Sequence, residues 1–151
     1  MPLDYLKLFV ISMLPIIELR GAIPYGVLTM NIPFWQVYWT AVAGNILPVP
    51  FLILFAGKVL HFCAKLPKVG FIFQKIIDIG HRKIKTINTT IWMGLFIFVA
   101  IPLPGTGAWT GCLIATLLGM RVRQAFFPIA LGVMASGIIM GIMSYGISGI
   151  F

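Results

Sequence analysis

Apolar residues fall in long blocks along this chain, separated by short polar or Gly/Pro breaks, and the order of blocks and breaks occurs twice. Residues 8–17 are apolar or small without interruption; Glu18, Arg20 and Gly21 then interrupt, and apolar character resumes from Ala22 to Met30, ended by Asn31 and Pro33. Ile32 to Gly57 is an uncharged, mostly apolar stretch that predicts one helix long enough to cross a bilayer. Phe34, Trp35, Tyr38 and Trp39 open it as an interfacial aromatic belt would, and Lys58 closes it. Between residues 61 and 89 the period changes. Phe71, Ile72, Ile76, Ile77 and Ile79 alternate with Gln74, Lys75, Asp78, Arg82 and Lys83 at a spacing that predicts an amphipathic helix lying on the membrane surface. The second half then repeats the plan: Ile91 to Ile101 is apolar, Pro102-Leu103-Pro104-Gly105-Thr106-Gly107 interrupts, Ala108 to Leu118 is apolar, Arg121 and Arg123 follow, and Ala125 to Phe151 is a final long segment.

At an offset of 87, Leu8/Leu95, Phe9/Phe96, Pro15/Pro102, Thr29/Thr116 and Ala43/Ala130 coincide. The shared order of broken segment, short connector and long helix is the stronger sign of an internal repeat, an arrangement characteristic of transporters. Each arm of a broken segment has about ten residues and so reaches roughly 15 Å, half of a hydrocarbon core about 30 Å thick. Such a segment can enter, turn and leave on one side, or it can span as a kinked helix.

Charge discriminates between these topologies. Seven of the eleven basic residues lie between Lys58 and Lys85. Four full crossings would put this stretch and the Arg121/Arg123 connector on opposite sides of the membrane, whereas two re-entrant hairpins put both inside, as the positive-inside rule asks. The expected fold is therefore an all-α integral membrane protein, a single membrane domain over 1–151 built as an inverted repeat. Repeat 1 covers 1–60, a basic cytoplasmic linker 61–90 carries the interfacial helix, and repeat 2 covers 91–151. Each repeat is a re-entrant helical hairpin followed by a long transmembrane helix, with both termini outside.

Composition agrees with this and narrows the function. Of 151 residues, 60% are hydrophobic and 9% charged, far from soluble usage, so lipid is the expected solvent and membrane lipids the expected surroundings. The net charge of +8 is concentrated in the loop and reads as a cytoplasmic face rather than a nucleic-acid surface. The N-terminus has no basic region followed by a small-residue cleavage site, so no removable signal peptide is expected. Cys63 and Cys112 stand singly and are expected to be inert, His61 and His81 read as surface imidazoles of the loop, and no cofactor or metal is expected. Ser136-Gly137 has the look of a serine-protease turn, but no His follows it, and an enzyme is not expected.

The candidate chemistry lies in the breaks. Glu18 and Arg20 are the only charges in the first, and an ionisable side chain at membrane depth is a functional-site hypothesis; the alternative is a structural pair holding the turn, which needs the non-helical backbone that Gly21 permits. In the second, Pro102, Pro104, Gly105, Thr106 and Gly107 make irregular backbone that must line a cavity or be buried against protein, unless the tip is only a tight turn. Thr106 is a candidate N-cap, and a similar helix start is expected near Gly21. Two helix N-termini and Arg20 suit an anionic group, whereas Glu18 suits a proton or a cationic substrate. Asn45 is expected to hydrogen-bond a hairpin backbone, with substrate contact as the lesser alternative. Gly132, Ser136, Gly137 and Gly141 space small residues for close helix packing within the chain or in a homodimer.

At Glu18-Leu19-Arg20-Gly21-Ala22-Ile23-Pro24 and at Pro102-Leu103-Pro104-Gly105-Thr106-Gly107-Ala108-Trp109-Thr110-Gly111 the sequence resembles the bacterial small multidrug export proteins, over nearly the whole chain. That family looks like a minimal relative of the DedA proteins. The resemblance implies a multi-pass protein of the bacterial cytoplasmic membrane with two hairpins of opposite orientation, and proton-dependent transport of an amphipathic substrate, either a lipid phosphate or a drug-like molecule. It implies that Glu18 matches the acidic hairpin position, and that Pro102, Pro104 and Gly105 match the second Pro/Gly tip. DedA proteins place arginines around that tip, where this chain has Val99, Ala100 and Thr106. An unrelated four-helix drug/proton antiporter and a non-transporting assembly subunit are the competing readings.

Overall fold

A computed structural model describes residues 2–84 and 89–148, the side chains of residues 80, 81, 83, 84, 147 and 148 excepted. The expectations for the side chains of His81 and Lys83, for Lys85 and for the last three residues lie outside the described residues. The first broken segment forms α1 (Pro2–Met13) and α2 (Glu18–Leu28). The break falls at residues 14–17, not at Glu18–Gly21 as the polarity change suggested. Pro15 has no N–H to offer a helix, so the chain turns there, and Glu18 donates its N–H back to Leu14 O at 2.9 Å. Glu18, Arg20 and Gly21 open α2 instead. Pro24 lies inside α2, where it removes the N–H that would have met the carbonyl of Arg20.

The long apolar stretch is α3 (Phe34–Ile46) and α4 (Val49–Ala64), separated by a turn at Leu47 and Pro48. Pro48 and Pro50 deny N–H groups to Gly44 and Ile46, yet Leu47 N–H to Ala43 O and Leu52 N–H to Pro48 O carry the helical path through. The helix therefore continues seven residues past Gly57, and His61 and Cys63 lie on it rather than in a loop. The amphipathic helix appears where its period placed it, as α5 (Gly70–Ile84). The second half gives α6 (Thr89–Ala100), α7 (Ala108–Leu117) and α8 (Val122–Ser148), with a seven-residue break at 101–107.

Phe34–Ala64 and Val122–Gly146 are each long and apolar enough to cross a membrane. Their outer faces carry large apolar side chains that none of the described residues covers: Phe51 is 69% exposed, Phe55 66% and Ile142 69%. Surfaces of this kind are sustained by lipid rather than water.

The packing has the same form in both halves. α1 lies on α3 and α6 on α8; α2 packs on α3 and also on α8, while α7 packs on α8 and also on α4. Buried positions match as well. Leu8 and Ser12 of α1 answer to Leu95 and Val99 of α6 at an offset of 87. Leu19, Ala22, Ile23 and Gly26 of α2 answer to Ala108, Gly111, Cys112 and Ala115 of α7 at an offset of 89. Val37, Ala41, Gly44 and Asn45 answer to Ala125, Ile129, Gly132 and Val133 at an offset of 88. The identities Thr29/Thr116 and Ala43/Ala130 are out of register with these faces, because the breaks and connectors of the two halves differ in length.

One pair of close approaches carries the arrangement. A Cβ on Gly44 would stand 2.5 Å from Phe9 O, and one on Gly132 would stand 2.9 Å from Phe96 O. These are the equivalent crossings of α1 over α3 and of α6 over α8, each with backbone against backbone. Gly44→Ala and Gly132→Ala are each expected to cost about 1–3 kcal/mol by overpacking, read as a lowered unfolding temperature in detergent. Gly57→Ala, with open space around its Cβ, serves as the neutral control. Gly137 and Gly141 pack on Tyr38 and Phe34 of the same chain, so the small-residue face of α8 is filled from within.

Candidate functional site

The two breaks meet one another halfway along the long helices. Asn45 lies eleven residues into α3 and Val133 eleven residues into α8, about 16 Å from each helix start at 1.5 Å per residue. Both line one small void with Glu18, Arg20, Gly107 and Ala108.

Glu18 is 6% exposed and holds φ +49°, a left-handed backbone that is uncommon outside glycine and costs about 1–3 kcal/mol. That conformation turns the chain out of the break and aims the carboxylate across to the other half. There Oε1 accepts the backbone N–H of Trp109 at 3.3 Å, in the first turn of α7, where a negative charge meets the positive end of the helix. Gly107 occupies the N-cap at φ +145°, and a Cβ in its place would overlap the Glu18 carboxylate. Only glycine leaves room for the acid.

Arg20, one half-turn further on, reaches the other side of the second break. Its guanidinium donates to Leu103 O, to Ile101 O at 3.2 Å and to Thr106 Oγ1 at 2.6 Å. Thr106 Oγ1 in turn donates within the tip, to Ile101 O or Leu103 O, so it stabilises the turn instead of capping α7 as expected. The indole Nε1–H of Trp109 donates to Met13 O, the last residue of α1, at 3.1 Å. The acid thus lies on the N-terminal end of α7 and the base on carbonyls at the C-terminal end of α6, each charge opposite in sign to the helix end it meets. The arginine that the second tip lacks in its own sequence arrives from the first.

Asn45 departs from expectation. It is 3% exposed, and its Oδ1 has no hydrogen-bond partner among the described residues. The void beside it measures about 10 Å³, the room of one water molecule. A larger cavity of about 490 Å³ opens beside the tips, lined by Glu18, Arg20, Gly21, Pro102, Pro104, Gly105, Thr106 and, from α8, Met140 and Met143. Pro24 lines neither space. Trp109 and the carbonyls of Ile101 and Leu103 complete the site and were not singled out from the sequence. The available signal for Trp109 was an indole, which carries one N–H donor, two residues past a glycine pair in an otherwise apolar segment.

Among the described residues the guanidinium is engaged by three acceptors, while the buried carboxylate accepts a single long bond. The acid is therefore the group best placed to exchange a proton or receive a cation. Fold and site together define an all-helical membrane protein with one interior polar centre between two broken apolar segments. The chain belongs to the family described as "Putative small multi-drug export protein", whose model matches residues 18–139. No curated protein and no solved structure matches it.

Proposed function

We propose that this protein is a proton-coupled exporter of amphipathic cations, working through two re-entrant hairpins whose tips meet near the bilayer midplane. The observation that carries the reading is the Glu18 carboxylate, buried at half depth and bound to the helix N-terminus of the opposite half. Matching burial at offsets of 87, 89 and 88 supports an internal repeat, and the exchange of partners between α2 and α7 supports a two-fold relation between its halves.

Support for re-entry comes from the ends of the arms. Tyr5 of α1 donates to Gln36 near the start of α3 at 2.5 Å, and the α2–α3 connector, with Asn31, shares a cavity with Tyr145 near the end of α8. The first segment thus begins and finishes at one end of the bundle. Lys58 and His61 share a different cavity with Met120 and Arg121, which gathers both basic clusters at the other end, in accord with the positive-inside rule.

In the proposed cycle an amphipathic cation competes with a proton for Glu18 and leaves through the cavity lined by Met140, Met143 and the tip prolines. With Glu18 anionic, the carboxylate holds α7 and the tips stay clasped. When the acid is neutralised, the attraction to the helix end weakens and the hairpins can rock apart, the alternating-access movement expected of paired repeats. A cation is favoured over a lipid phosphate because the donors of Arg20 are directed to Ile101, Leu103 and Thr106. The test is transport by purified protein in liposomes: an imposed ethidium gradient should drive protons the opposite way, read by a trapped pH dye. Ethidium movement without proton movement, or no movement of either, would contradict the reading.

A further inference from the structure

A second cavity lies away from the tips, at the basic end of the bundle, and nothing in the transport scheme uses it. It measures about 620 Å³ and is enclosed by α4, α5, the end of α7 and the start of α8. Leu54, Lys58 and His61 succeed one another at spacings of four and three on a single face of α4, so an apolar floor leads directly to two basic groups. Leu117 and Ile77 supply apolar walls, and Arg121 stands on the far rim. His61 Nδ1 is tied to Gly57 O at 2.8 Å, which fixes the ring on this face.

Arg121 occupies the position that would cap α8. Its side chain has no acceptor atom, and its own N–H is taken by Gln124 Oε1 at 3.2 Å. The cavity therefore has a positive helix end beside two permanent cations.

Depth fixes the kind of ligand. Lys58 is twenty-four residues beyond Phe34, about 36 Å along the helix, so it lies at the opposite interface from the Trp35/Trp39 belt. A hydrophobic cleft at headgroup depth, with cations on its rim and a surface helix as one wall, matches a molecule with a phosphate at one end and hydrocarbon at the other. We infer that this cavity binds an anionic glycerophospholipid, with its phosphate between Lys58, His61 and Arg121 and an acyl chain along Leu54 and Leu117. The site is separate from Glu18 and stands or falls independently of proton coupling.

The test is native mass spectrometry of the detergent-purified protein titrated with phosphatidylglycerol and, separately, phosphatidylcholine of the same chains. Phosphatidylglycerol is expected to bind on the order of tenfold more tightly. Lys58→Gln combined with Arg121→Gln should bring the two lipids to within about twofold of each other, and Lys58→Arg combined with Arg121→Lys should keep the preference. Lys65→Gln with Lys68→Gln removes two exposed cations that do not line the cavity and should also keep it. The proposal is overturned if the Lys58/Arg121 pair retains full preference, if the Lys65/Lys68 pair loses as much, or if glycerol phosphate without acyl chains displaces the lipid, since each points to general surface attraction or to a soluble-anion site.

Discussion

Glu18→Gln is expected to reduce ethidium-driven proton flux in liposomes on the order of a hundredfold while leaving the folded protein intact. The amide is nearly isosteric, and its oxygen can accept the Trp109 N–H as Oε1 of Glu18 does, so the hydrogen bond to α7 persists without its charge and the left-handed turn is retained. What disappears is the ability to alternate between charged and neutral forms. The elution profile should therefore match that of the parent, and the unfolding temperature should fall only by the lost charge–helix attraction, about 0.3–1 kcal/mol. A variant that folds and transports protons at the parental rate would remove Glu18 from the coupling scheme and return it to a structural cap.

Arg20→Ala should act in the opposite sense, on stability first. The guanidinium supplies three hydrogen bonds to the second break, and two of the acceptors are backbone carbonyls in a turn rich in proline. Removing the guanidinium takes away charge-assisted bonds that tie the first break to the second, while Ile101 O and Leu103 O keep only the local bonds from Leu103 N–H and Thr106 N–H within the tip. A loss of about 2–3 kcal/mol is expected, which for a chain of this size is roughly 5–10 °C in unfolding temperature. Arg20→Lys should recover only part of it, because a single ammonium cannot reproduce the planar fork that spans Ile101, Leu103 and Thr106. If Arg20→Ala melted with the parent, the contact between the breaks would not be holding the halves together.

These two residues also mark how far the sequence could be read. Block lengths and Pro/Gly placement gave the helices, the amphipathic period of α5 and the presence of a break in each half, because apolar periodicity and Pro/Gly chemistry are local properties. The sequence could also nominate Glu18 and Arg20 as the only charges in their segment. It could not say that they bind the second break, more than eighty residues away, since that depends on how two halves cross. The position of the turn was misjudged for a similar reason. Polarity changes at Glu18, but the backbone turns at Pro15, and the acid itself adopts the left-handed conformation that glycine was expected to supply. Thr106 looked like a cap from its place before a helix, yet a serine-like hydroxyl inside a proline turn finds nearer carbonyls at Ile101 and Leu103. Asn45 had the expected burial without the expected bond, because its neighbours there are a small void and the tip of the other half.

The arrangement of both breaks at half depth is tested most directly by labelling single cysteines from either side of a sealed membrane. In a background lacking Cys63 and Cys112, Asn31→Cys and Arg123→Cys place reporters at two exposed positions, one on the connector after the first broken segment and one in the first turn of α8, just after the second. A membrane-impermeant maleimide should reach them from opposite faces, Asn31→Cys from outside and Arg123→Cys from inside. Labelling of both from the same face would mean that each broken segment crosses the membrane completely, and the shared interior around Glu18 would not exist as described.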